Sequence, residues 1–188
     1  MSMTETFARE TKGHQMTIKL DQGLYRHLEF RDPKLGYCQS FQIITWPGYL
    51  AYCGDMGSFT FARIEDMFQF FRHLKINPNY WAEKLEAADE PDGYEKYDPE
   101  KMRRAIKEDH RQLDKPARAA VSAEVKEILY CVDDEYDTRR RIGDVEFEGR
   151  QVFADFWEHD CKSFTGRFLW CCHAIRWAVE MYDKRPAP

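Results

Sequence analysis

The chain has 188 residues, 43% of them hydrophobic and 32% charged, with a formal net charge of −5. A chain of that size buries roughly 70% of its unfolded surface, so its composition excludes disorder and it needs neither metal nor disulfide to hold a core. Its apolar runs fall well short of the ~20 residues that span a bilayer, and its acidic balance argues against a broad phosphate-tracking surface for nucleic acid.

In chain order, MSMTETFARETKGHQ mixes acids and bases without an apolar stretch. Residues 1–15 therefore read as a flexible leader and not a signal peptide, with Met16 as an alternative start. Leu24, Arg26, Leu28 and Phe30 then alternate with Tyr25, His27, Glu29 and Arg31, the period of a half-buried strand. RDPKLG ends that strand, and Ser40 to Trp46 has the β-branched and aromatic composition of a second one. Pro47-Gly48 fits the centre of a type II turn, after which Tyr49 to Cys53 returns, and Gly54-Asp55-Met56-Gly57 turns the chain again into Ser58 to Ala62.

The period changes after Ala62. Ile64, Met67, Phe68, Phe71 and Leu74 share one helical face. Asn77-Pro78 restarts the chain as cap and first turn of a short helix through Trp81 and Leu85. After a polar interval, Asp98-Pro99 repeats that signal and opens a helix carrying Met102, Ala105, Ile106 and Leu113. Lys115-Pro116 breaks it, and Ser122 is placed as the cap of a further helix through Val132. Gly143 to Gly149 alternates weakly, as a short strand or an irregular link. Val152, Phe153, Phe156 and Trp157 make a helical or extended hydrophobic element. Phe168, Cys172, Ile175, Val179 and Tyr182, spaced 4-3-4-3, predict a C-terminal helix burying one seam. The predicted class is α+β: an N-terminal antiparallel β-meander of three to four strands (16–63) followed by several packed α-helices (64–188), as one domain after the leader.

No residue pattern carries a catalytic signature. GDMG between two strands has neither the length nor the lysine of a phosphate loop, and Asp55 there suits a turn. His159, Cys161, Cys171, Cys172 and His173 lack the spacing of a zinc site, and all six cysteines read as reduced thiols of a cytosolic protein. Asp66 and Glu65, in the first turn of a helix, complement its dipole. Eight acids stand between Glu83 and Glu100, and Asp133, Asp134, Glu135 and Asp137 form a second cluster beside Arg139-Arg140-Arg141. These runs make either a solvated surface or an acidic face that meets a basic partner. The arginines either anchor a phosphate or pair with the neighbouring acids, and pairing is favoured. Trp170, Trp177 and Phe70 offer a second packing face, core or interface.

Finally, SFQIITWPGYLAYCGDMGSFTFARIEDMFQFFR, INPNYWAEKLEA, FADFWEHD and FLWCCHAIRWAVEMYD resemble a group of small accessory proteins of tailed bacteriophages and prophages, over most of residues 24–88 and 150–183. The resemblance implies production in a bacterial cytoplasm and binding that disables a host system, CRISPR and other defences included. The expected function is thus non-enzymatic protein–protein binding to a bacterial host or defence protein. The candidate contacts are Trp46, Tyr49 and Asp55 at loop tips, with Glu90, Asp92, Glu95, Asp133, Asp134 and Glu135 from the acidic runs. No metal, cofactor, membrane or nucleic-acid partner is expected, and self-association stays open. The alternative is a small-ligand binder or enzyme with a pocket between sheet and helices, drawing on His27, Asp55, His159 or His173.

Overall fold

The computed structural model describes residues 2–72, 75–90 and 93–185. They divide into two compact units, Met1–Glu95 with Phe164–Pro188, and Lys96–Ser163, where the sequence reading has one domain. The physical reason is that the buried side chains form two separate clusters, one dominated by aromatics and one by aliphatics. Each unit closes its own core.

In the first unit, β1 (Gln15–Gln22), β2 (Tyr25–Arg31), β3 (Phe41–Trp46), β4 (Tyr49–Gly54), β5 (Gly57–Ala62) and β6 (Leu85–Ala88) make one antiparallel sheet in chain order. The fold is α+β, with six strands in the sheet instead of the three to four expected. β1 escapes a periodicity argument because it is an edge strand with no alternating burial. Leu85, expected at the end of a short helix, instead pairs with Phe61 in β6. The expected turns are present. Gly48 has φ 86°, which the second central position of a type II turn requires. At Gly54 a Cβ would fall 2.7 Å from the Phe41 Cα, so only glycine fits there.

One face of the sheet carries Leu28, Phe30, Phe41, Ile43, Leu50, Tyr52, Phe59 and Phe61, all buried. The C-terminal helix α7 (Gly166–Asp183), capped by Thr165 accepting the Phe168 N–H, lies against it. Its expected seam, from Phe168 to Tyr182, is buried throughout. Rings meet across the layer: Phe30 with Trp177 at 5.4 Å, Phe41 with Trp170 at 5.7 Å, Phe59 with Phe168 at 5.6 Å. Two short helices, α2 (Met67–Arg72) and α3 (Pro78–Ala82), add Phe71 and Trp81, 4.7 Å apart. Asn77 caps α3 as expected, whereas Leu74 lies outside the described residues. Arg26 is buried on the apolar face of β2 because Asp66 takes its guanidinium bidentately at 2.8 and 3.2 Å. The same carboxylate accepts the Phe68 N–H and so caps α2, a more specific role than a dipole partner.

Residues 3–10 are helix α1 (Met3–Glu10) and not a flexible leader. A capping box between Ser2 and Glu5 starts it, and Phe7 anchors it with its ring 4.9 Å from Trp170 and 6.0 Å from Trp177. The charged composition hid one buried aromatic. That single ring decides the matter.

The chain leaves the first unit through β7 (Glu95–Tyr97) and re-enters it through β10 (Lys162–Phe164). Between them α4 (Pro99–Gln112), α5 (Lys115–Tyr130) and α6 (Glu135–Gly143) pack Met102, Ile106, Val121, Val125, Ile128 and Ile142 around Phe156. The Asp98-Pro99 start holds, with Asp98 accepting from Glu100 and Lys101 N–H groups. Pro116 sits in the first turn of α5, where its missing N–H costs nothing, and Asp114 caps that helix. Ser122 is therefore mid-helix and donates to the Arg118 carbonyl instead of capping. The weak alternation before Gly149 becomes a minimal hairpin, β8 (Glu146–Phe147) with β9 (Arg150–Gln151).

Phe7→Ala should cost about 3 kcal/mol in urea unfolding, the range for truncating a buried phenylalanine; a leader would cost nothing. A second test uses pH. The Ser163 hydroxyl at 2.6 Å, with the Lys101 and Glu100 N–H groups, holds the Asp98 carboxyl below its ordinary range. That stabilisation is present above the unfolded carboxyl value and is lost as pH falls through the lowered folded value. Asp98→Ala should thus cost about 1 kcal/mol at neutral pH, with the gap to wild type closing as the solution is acidified below about pH 4.

Candidate functional site

The sheet has a second face. Alternation sends His27, Glu29, Gln42, Ile44, Trp46, Tyr49, Ala51, Cys53, Ser58 and Thr60 away from the aromatic layer, all of them half-buried or exposed. The register sorts them into rows. Thr17, Glu29, Gln42, Cys53 and Ser58 form a polar row. It satisfies itself in part, through Lys19 to Glu29 at 3.0 Å and His27 with Gln42 at 2.6 Å. The next row runs Leu20, His27, Ile44, Ala51, Thr60, Ala87 and is largely apolar. Beyond it, Trp46 and Tyr49 close the Pro47-Gly48 hairpin as a directly opposed pair. Their rings stack at 5.2 Å and 14°. Tyr25 begins β2 on the same face, 53% exposed, and Tyr49 is 40% exposed.

This brings together two of the candidate contacts, Trp46 and Tyr49, and separates them from Asp55. Asp55 lies at the far end of β4, where its carboxylate accepts the Gln39 N–H at 2.9 Å and its own N–H donates to the Ser40 carbonyl. It braces two loops, as turn chemistry implied.

The acids divide between the units. Glu90 and Asp89 both pair with Arg167, at 3.2 and 2.5 Å, and Glu95 lies in β7. Asp92 lies outside the described residues. In the other unit Asp133 is exposed, Asp134 caps α6, and Glu135 pairs with Arg139 at 2.9 Å. The arginines pair with neighbouring acids, as favoured: Arg140 holds Asp137 at 2.7 Å, and Arg141 reaches the same carboxylate at 3.9 Å. Arg139 in addition donates to the Phe156, Trp157 and His159 carbonyls, closing the 3-10 turn Phe156–Glu158.

The cysteines and histidines near the C-terminus do not assemble into one cluster. Cys171 and Cys172 are core residues of α7, and burial pushes both thiols far up. Cys161 is buried against the Met102 sulfur at 3.9 Å in the other unit, and its thiol is raised for the same reason. Among the described residues no group of three His, Cys, Asp or Glu is placed to hold a metal ion. His173, on α7, has its pKa lowered by burial and is a neutral imidazole at pH 7.

Two features were not foreseen. His159 Nε2 meets Asp109 Oδ2 at 2.8 Å beside a pocket of about 610 Å³. Fifty residues separate the pair, so no local pattern links them, and no hydroxyl or thiol stands among the described lining residues to act as nucleophile. The second is a larger groove beside α1, whose signal was present in the spacing Thr4, Phe7, Ala8, Thr11. Among the described residues no helix is long and apolar enough to cross a membrane.

Exposure sets the order of thiol reactivity. Cys38 and Cys131 should react with a disulfide reagent within minutes in the folded protein, and Cys161, Cys171 and Cys172 only after denaturant is added, as mass spectrometry of the labelled chain would read. Comparison with family models, with curated proteins and with solved structures returns no match for this chain.

Proposed function

We propose that the protein acts by binding another protein through the open face of its sheet, with the stacked Trp46–Tyr49 pair as anchor. The observation that carries this reading is the contrast between that pair and four of the six described charged candidates. Asp55, Glu90, Asp134 and Glu135 are engaged in internal hydrogen bonds and ion pairs. The aromatic pair is held rigid by a two-residue hairpin and flanked by Ile44, Leu20 and Tyr25 on the same face. Rigid aromatic anchors on a flat apolar strip lose little conformational freedom on docking, which is why Trp and Tyr dominate interface energies.

The net charge of −5 favours a partner whose contact surface is apolar at its centre and basic at its rim. In the setting implied by the resemblance to phage accessory proteins, that partner is a bacterial host or defence protein, and the outcome of binding is inhibition. The acidic residues then assist encounter more than they hold the complex.

The test is a pull-down from bacterial lysate with wild type, Trp46→Ala and Glu90→Lys, followed by titration of the recovered protein. Trp46→Ala should weaken binding by about 30-fold or more, the scale of a hot-spot truncation. Glu90→Lys should change mainly the salt dependence. A partner that binds Trp46→Ala as tightly as wild type would remove the open face from the interface.

A further inference from the structure

The groove beside α1 has walls made by two helices, each giving one face at helical spacing. Thr4, Phe7, Ala8 and Thr11 come from α1 and the turn after it; His173, Arg176, Trp177 and Glu180 come from α7. The segment at Lys75, Ile76 and Pro78 closes one side. The volume is about 880 Å³, within the range of sites that take small organic ligands.

Its chemistry is two-sided. The apolar part is aromatic: Phe7 and Trp177 meet edge-on at 6.0 Å, and the His173 ring stacks on Phe7 at 5.8 Å. Burial keeps that imidazole neutral, so His173 adds a flat, uncharged surface. The charged part is cationic. Lys12 and Lys75 both line the groove, and neither has an ion-pair or hydrogen-bond partner among the described residues. Arg176 is neutralised by Glu180 at 2.8 Å, which leaves the two lysines as the excess charge. This is a local reversal of sign in a chain whose net charge is −5. One polar group is also unspent: His14, which lines the same groove, buries an unpartnered Nδ1 while its Nε2 donates to the Gln39 carbonyl at 2.9 Å.

We propose that this groove binds a small amphipathic anion, an aromatic or medium-chain carboxylate whose apolar body lies on Phe7 and Trp177 and whose acid group is met by Lys12 and Lys75. The site is independent of the open sheet face, so its occupancy and partner binding can be tested apart. A macromolecular occupant is disfavoured because the walls are short: each helix gives two turns to the groove.

The experiment uses two dyes that differ by one charged group. 8-Anilinonaphthalene-1-sulfonate carries the anion, and N-phenyl-1-naphthylamine is the same body without it. The full-length chain should bind the sulfonate at one equivalent, at least tenfold tighter than the neutral dye. Lys12→Glu with Lys75→Glu should weaken the sulfonate at least tenfold and leave the neutral dye within twofold. Ala8→Trp, which fills the groove, should weaken both. Decanoate and 2-naphthoate should each displace the dye, and the tighter of the two tells whether chain or ring is the preferred body. Thermal melts accompany every variant, and the lysine changes, being at exposed positions, leave the core intact. Multiple weak sites, or a sulfonate affinity indifferent to the lysine reversals, would overturn the proposal.

Discussion

The first unit rests on one layer of facing rings. Phe41 stands at its centre, 4.7 Å from Phe30, 5.5 Å from Tyr52 and 5.7 Å from Trp170, so a single side chain ties three strands to α7. A sheet presents its inward residues every second position and a helix every third or fourth, and large flat side chains tolerate that mismatch by tilting. The other helices depend on this layer. α1 is fastened to the outer side of α7 by Phe7, and α2 enters through Phe71, 5.6 Å from Phe61. At the rim, the buried Arg26 is matched by Asp66 and by Tyr182, whose hydroxyl donates in turn to Asp21. Such a pair adds little net stability against an apolar replacement, but losing one partner strands a buried charge. It links β2 to the start of α2 and to the end of α7.

The electrostatics follow the same economy. Asp66, Asp98, Asp114 and Asp134 each accept backbone N–H groups at a helix start, and Asp55 does so at a turn. The acidity that a composition count presents as a surface property is in good part the way this chain begins its helices. Among the groups not spent in this way are the exposed aromatics on the open side of the sheet and the lysines in the groove beside α1.

Much of this was legible in the sequence, and unevenly so. The period-two residues of β2 to β5 and the 4-3-4-3 seam of α7 give the layer directly, because both repeat several times over. The corners at Pro47-Gly48 and Gly54-Asp55-Met56-Gly57 were equally plain, since Gly48 and Gly57 take positive φ, which few other residues adopt. α1 was missed because its burial rests on one ring, and edge strand β1 because it buries little. Ser122 misled because a serine caps a helix only where the helix starts, and Asp114-Lys115-Pro116 had already started α5. At the candidate site, Trp46 and Tyr49 could be named, but their stacking is a matter of register. The groove is a property of two helices more than a hundred and fifty residues apart, and no window on the chain contains it.

The order of the chain has a further meaning. The six strands are made first, α7 last, and the whole of residues 96–163 is translated in between. At roughly 5–20 residues per second, a ribosome takes several seconds over that stretch. For that time α7 does not yet exist, and the aromatic side chains that it covers in the fold lack their partner. Closure of the first core therefore waits on the synthesis of every residue of the second unit.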